Sequence, residues 1–183
     1  MGRSRAAALD GARRVFAEKG IRKASMSDVA VRGGLAKATL YNHFRTKSEL
    51  VAGLIADDVA VVAEDCIDLA STDLAVALTR ACDAVAAHPV LVGLRIVEPT
   101  ALLVAVSPGE GPVWDGIRDQ TAAILDAADV SNRAECVDLI CRWLASFVVS
   151  PGTSDQRSQQ ARLICAGLPP AVRTTAFATP ATP

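Results

Sequence analysis

Five polar side chains, Lys37, Thr39, Tyr41, Asn42 and His43, crowd into one short stretch near the N-terminus. They offer an ammonium, two hydroxyls, an amide and an imidazole, the groups that meet phosphate oxygens and base edges. On one short helix they suit a helix end pressed into a groove of DNA. Other chemistries lack their parts. The chain has two histidines, and His88 alone assembles neither a Ser-His-Asp set nor a metal site. Glu64, Asp65 and Asp68 read better as a solvated helix face than as a paired acid and base. Five cysteines, Cys66, Cys82, Cys136, Cys141 and Cys165, are irregularly spaced with no C-x-x-C pair, which argues against a disulfide framework. Cys136 and Cys141 stand about 140° apart around a helix, too far to share a metal. No catalytic residue, metal or cofactor is expected. Buried cysteine usually behaves as a small hydrophobe, and a thiol-based redox switch is kept as the alternative.

The neighbouring residues must hold that helix outward. Ser27 reads as the N-cap of a preceding helix, with Asp28 near its positive end. Val29, Ala30 and Val31 give this helix its apolar content, and Gly33-Gly34 ends it through a left-handed residue. Leu35 fills the turn. A second helix begins near Lys37, with Leu40 and Phe44 sharing one face. This is a helix-turn-helix, in which the second helix enters the major groove by its N-terminal half. Leu9, Ala12 and Phe16 repeat at helical spacing, so residues 5–18 predict an amphipathic helix closing a three-helix core, stopped by Gly20.

These residues resemble the N-terminal domain of TetR-type regulators. The resemblance rests on Ala8-Leu9, Phe16 through Ile21, Ser27 through Ala30, Gly34-Leu35, Thr39 through Phe44 and Lys47 through Leu50. It implies an all-helical, dimeric transcriptional repressor whose C-terminal domain binds a small effector. Carried onto this chain, the DNA-facing positions are Ser27, Lys37, Ala38, Thr39, Tyr41, Asn42, His43 and Lys47. Two positions depart from the family pattern. Ala36 stands where a Ser or Thr cap is common, and losing such a cap costs about 1 kcal/mol. Gly33 stands where Ala is usual, which is expected to loosen the backbone.

Charge follows the same division. Through Leu50 there are eleven basic and four acidic residues, net +7; the remaining residues carry eight and sixteen, net −8, with no lysine. The whole-chain value of −1 hides this polarity. Phosphate contacts supply most non-specific DNA affinity, so positive charge belongs on the reading head. An ordinary solvated surface is the blander reading.

Beyond residue 50 the rhythm stays helical, and no segment alternates as a strand. Helices are predicted over 47–70, 74–87, 90–97, 100–106, 113–128, 131–149 and 154–167, with cap signals at Ser71-Thr72-Asp73 and Ser131-Asn132. The fold class is all-α: a helix-turn-helix DNA-binding domain at 1–50, a helical effector-binding and dimerisation domain at 51–168, and a Pro/Ala/Thr-rich tail at 169–183. No apolar run has membrane-spanning length and no secretory signal is visible, so a soluble cytoplasmic protein is expected.

Val137, Ile140, Cys141, Leu144 and Val148 form one apolar stripe, with Trp143 and Phe147 beside it. The stripe is either a dimer face or a central core helix. The resemblance implies that the last two long helices, about 131–149 and 154–167, make the dimer bundle. DNA geometry also asks for two copies, since paired heads read groove faces about 34–36 Å apart. For the effector, the candidates between residues 51 and 130 are Arg80, Asp83, His88, Arg95, Glu98 and Trp114. Each also has a structural reading: an exposed Arg80–Asp83 ion pair, a helix-end His88, a core Trp114. Aromatics are scarce at 4%, so the expected pocket is aliphatic and the expected effector apolar or amphipathic. An enzyme using that helical pocket is the remaining rival. The partners expected are thus double-stranded operator DNA, a small effector and a second copy of the chain.

Overall fold

The computed structural model describes residues 2–100, 109–130 and 134–170. Among them the chain is helical, and the backbone pairing outside helices is one isolated bridge between Val130 and Pro170. Residues 101–106 of the predicted helix at 100–106 and the Ser131-Asn132 cap lie outside the described residues, as does the tail beyond residue 170.

The first helix, α1, runs Gly2–Lys23 and breaks at Gly20, whose φ of 78° only glycine adopts cheaply. The stop expected there is a kink, and one more turn follows it. Helix α2, Met26–Arg32, is capped by Ser25 rather than Ser27. Ser25 accepts from the Asp28 backbone N–H, and the Asp28 carboxylate accepts from Ser25, which closes a capping box. Ser27 falls inside the first turn and is half-buried. Gly33 caps α2 in right-handed geometry, and Gly34 carries the left-handed φ of 64°. The Leu35 N–H then reaches back to Ala30 O at 2.8 Å.

Gly33 does not serve as a loosener. A Cβ there would stand 2.6 Å from the Ala7 carbonyl oxygen, and one on Gly11 would stand 2.8 Å from Gly33 N and Val29 O. The two glycines let α1 and α2 touch backbone to backbone.

Helix α3, Lys37–His43, follows with Ala36 as N-cap and no side-chain cap bond. Helix α4, Lys47–Ala70, starts at Thr46, which accepts from Glu49 N. Helices α5 (Leu74–Ala87, capped by Asp73) and α6 (Pro89–Val97) meet at 45° across His88. Then come α7 (Pro112–Ala127), α8 (Ala134–Val149) and α9 (Ser154–Gly167), the last opened by a Thr153/Gln156 capping box. Among the described residues no single helix is long and apolar enough to cross a membrane.

Leu9, Phe16, Val29, Leu40, Leu50 and Leu54 form a core under the head, and Val90, Leu94 and Val148 join it from α6 and α8. The body has two further clusters. One is built on Leu78, Leu125, Val137 and Ile140, and the other on Ala63, Cys66, Ala77 and Ile124. Head and body therefore share apolar packing, mainly where α6 lies along α1. That contact is close because Gly93 has no side chain: a Cβ there would stand 2.2 Å from Ala17 O.

Val137, Ile140, Cys141 and Val148 are buried within a single copy of the chain, and Leu144 is half-buried between the two body clusters. Within one copy of the chain the stripe is thus a core face of α8, the second of the two readings left open by its periodicity. Outward from it stand Leu139, 52% exposed, and on α9 Leu163, 74% exposed. Trp143 lies at the boundary, its indole N–H donating to Gln160 Oε1 at 3.1 Å and its ring edge-on to Phe147.

Candidate nucleic-acid interface

Leu40 is fully buried in the head core and fixes which way α3 turns. With about 100° per residue, Ala38 and Asn42 project opposite to Leu40. Both are exposed. Lys37 and Tyr41 share one flank and are exposed; Thr39 and His43 share the other and are half-buried. Phe44 closes the helix from below, 5% exposed, with the Arg5 guanidinium 5.6 Å over its ring.

Lys47 points elsewhere. Its Nζ donates to Ile21 O, Arg22 O and Ala24 O at 2.8, 3.1 and 3.0 Å. The ammonium holds the α1–α2 corner, where unpaired carbonyls collect at a helix end. Glu98, 6% exposed at the end of α6, grips the same corner from the opposite polarity. Both its carboxylate oxygens accept from Arg22 N, at 2.9 and 3.2 Å.

Apart from Lys47, which the three carbonyls hold, the basic residues of the head divide into two sets. Arg5 and Arg13 pair with Asp57 and Asp58 on α4, Arg14 with Asp10, Lys19 with Asp28 and Arg32 with Glu18. Arg3, Arg22, Lys23, Lys37 and Arg45 have side chains with no ion-pair partner among the described residues. Arg3, Arg22, Lys23 and Arg45 were not singled out from the sequence, because nothing in a one-dimensional pattern says which cations a fold neutralises. Lys19 and the Ser25 hydroxyl hold the Asp28 carboxyl well below the ordinary carboxylate range. At Asp58 burial works upward, but hydrogen bonds from His88 and Arg13 outweigh it and the net direction is down.

The effector candidates are not brought together. Arg80 pairs with Asp65 at 2.7 Å and Asp83 with Arg157 at 2.6 Å, so the expected Arg80–Asp83 pair is replaced by two others. His88 Nε2 lies 2.9 Å from Asp58. Arg95 donates to Val148 O and Ala86 O, both at 2.8 Å, binding the C-terminal turns of α8 and α5. Trp114 packs, half-buried, against the Leu78–Leu125 cluster. Arg80 and Asp83 line a shallow depression of about 290 Å³ with Thr79, Ser158 and Arg162.

The cysteines are free; Cys66, Cys82, Cys136 and Cys141 are buried and Cys165 is half-buried. Burial pushes the Cys66 thiol up to about 11 and the Cys82 thiol up to about 12, which suppresses the reactive thiolate.

An all-helical chain that turns a polar helix outward from a basic three-helix head has the architecture of a helix-turn-helix DNA-binding protein. Residues 8–54 match the bacterial regulatory proteins of the tetR family. The fold agrees along most of the chain with AlkX, a TetR family repressor from Dietzia sp., at a TM-score of 0.68 and 19% identity over 88% of this chain and 93% of that one. A TetR transcriptional regulator from Rhodococcus sp. shares it at 0.61 and 21% identity, covering 89% and 94%. Another from Streptomyces coelicolor is 26% identical at a TM-score of 0.52, covering 91% and 98%. No curated protein sequence matches the chain. Residues 8–54 thus form a DNA-binding domain of the tetR family type, and the described chain has the fold of the TetR-family regulators it resembles.

Proposed function

We propose that this regulator binds a palindromic operator as a homodimer, represses transcription in the cytoplasm, and is released by a small apolar or amphipathic effector. Residues 1–50 act as the reading head, 51–168 as the effector and dimerisation body, and 169–183 as a tail. The observation that carries this reading is the outward face of α3 on a head with five cations whose side chains have no partner among the described residues. Lys37, Ala38, Thr39, Tyr41, Asn42 and His43 meet DNA directly, with Ser27 at the first turn of α2. Lys47 acts by holding the α1–α2 corner that carries α2 and α3. For dimerisation, the outer faces of α8 and α9 supply Leu139, Trp143 and Leu163, apolar surface that a second copy would cover. The effector space belongs to the body helices, whose inner faces are largely aliphatic.

Release follows from linkage. An effector and an operator that prefer different separations of the two heads must weaken each other by the same factor. Helix α4 is the lever, since it begins at the head and ends inside the body. The buried, high-pKa thiols favour this over redox control.

The test is a labelled upstream promoter fragment titrated with the full chain at two salt concentrations. Specific binding by two copies that weakens steeply with salt is expected. Salt-insensitive binding, or a single copy on the specific site, would overturn the proposal. A thermal-shift screen of amphipathic compounds then identifies the effector, because ligands of the native state raise its melting temperature.

A further inference from the structure

Resting on the reading of α3 as the recognition helix, we propose that Asn42 and Ala38 are its base-reading residues: Asn42 pairs with an adenine and Ala38 packs on a thymine methyl about two base pairs away. Three observations point there. Leu40 sets the inward direction, and of the six other residues of α3 only Ala38 and Asn42 lie about 160° from it. Both are exposed, and the Asn42 amide has no hydrogen-bond partner among the described residues. Side-chain length then sorts the roles. The apex carries a methyl and a short amide, so α3 can approach the groove floor closely. The longer Lys37 and Tyr41 stand on one flank, Thr39 and His43 on the other, where phosphate walls would meet them.

The amide chemistry selects the base. A carboxamide holds one donor edge and one acceptor edge in a plane, and adenine presents the matching pair, the N6 amino group and N7. Guanine presents two acceptors at this edge and cytosine a lone donor, so neither pairs twice. A methyl side chain offers no hydrogen bond and is best matched by the thymine C5 methyl. Ala38 and Asn42 are separated by about 6 Å along the helix. At about 3.4 Å per base pair that is close to two steps. Each half-site should therefore carry two A/T positions so spaced, one fixed as adenine by hydrogen bonding and one as thymine by packing.

The experiment is selection from randomised duplexes with the full chain, Asn42→Ala, Ala38→Gly and Lys37→Ala, followed by affinity measurement on the selected site. The wild type should enrich an adenine and a thymine at this spacing. Asn42→Ala should lose the adenine preference alone, weakening discrimination there by about 5- to 150-fold. Ala38→Gly should blur only the second position, and Lys37→Ala should lower affinity without altering the motif. An Asn42→Ala protein that selects the wild-type motif at uniformly lower affinity would make Asn42 a phosphate contact and overturn the inference. A wild type that enriches no motif would instead sink the recognition-helix reading beneath it. Asn42→Arg is a second arm: it should switch the preferred base from adenine to guanine, and failure to shift counts against the proposal.

Discussion

The division of the head's cations into paired and unpaired sets makes a quantitative prediction about salt. A cation that displaces counterions from DNA must not already be neutralised by a neighbouring carboxylate. Lys37 is unpartnered, whereas Arg32 is bound to Glu18. Each phosphate neutralised contributes about 0.9 to the slope of log affinity against log salt. Five free cations per head make ten in the proposed dimer, which caps the slope near −9 if all reach phosphate. Replacing Lys37 by Gln removes two contacts per dimer and should flatten the slope by about 1.8. Between 50 and 200 mM salt that is a difference of about 12-fold in how far affinity falls. Arg32→Gln should leave the slope nearly unchanged. Fluorescence anisotropy with a labelled operator, titrated at four salt concentrations, measures both. Equal flattening by the two variants would refute the argument that internal pairing decides which cations DNA uses.

Four further outcomes follow from the packing and the charges. Gly93→Ala should destabilise the protein by about 3 kcal/mol, because the new methyl meets the Ala17 backbone and only separation of α1 from α6 relieves it; urea unfolding reads this directly. Lys47→Ala should lower both operator affinity and melting temperature, since three carbonyls lose their donor, whereas Tyr41→Ala should lower affinity alone. Acid should destabilise the fold. Asp28 and Asp58 have carboxyl pKa values depressed in the folded state, so their stabilisation is complete above the unfolded value near 3.9 and is lost as pH falls below it. Melting temperature should hold between about pH 7 and 5 and drop beneath about 4, with a shallower acid drop in Asp58→Asn. Peroxide should leave operator binding intact, because the buried thiols of Cys66 and Cys82 resist ionisation.

Where a helix begins or ends on a local signal, the sequence reads well. Asp73 and Thr153 cap α5 and α9 with side chains two or three residues from the N–H groups they satisfy, and such spacing is visible in one dimension. Two serines compete at the start of α2. The acid three residues after Ser25 decides for it, a capping-box spacing present in the sequence all along. The stripe on α8 was ambiguous in a different way. Helical periodicity marks a face as buried, and it cannot say whether the covering surface is the same chain or a second copy. The partners of the effector candidates were hidden for a third reason. Polar groups within apolar helices were legible as unusual, but Asp83, His88 and Glu98 meet Arg157, Asp58 and Arg22, partners 30 to 76 positions away. Only the fold brings those together.

Those distant pairings alter how the lever works. Helix α4 joins head to body by continuity, yet it is not alone at the joint. Arg13 on α1 binds Asp57 and Asp58 of α4, and Asp58 also meets His88 at the α5–α6 corner. Glu98 at the far end of α6 holds Arg22 N, while Gly93 sits against the Ala17 backbone between these two points. Helix α6 is therefore fixed to α1 along its length. A displacement of α6 cannot be absorbed by sliding side chains where backbone meets backbone, and packed interiors resist continuous deformation. Such a displacement must carry α1 with it, or break the polar contacts at both ends. In the proposed mechanism, coupling between an effector in the body and DNA at the head would then depend on two rigid connections, α4 through the chain and α6 through contact. A change that loosens α6 alone should leave a head that binds DNA but no longer responds to the effector.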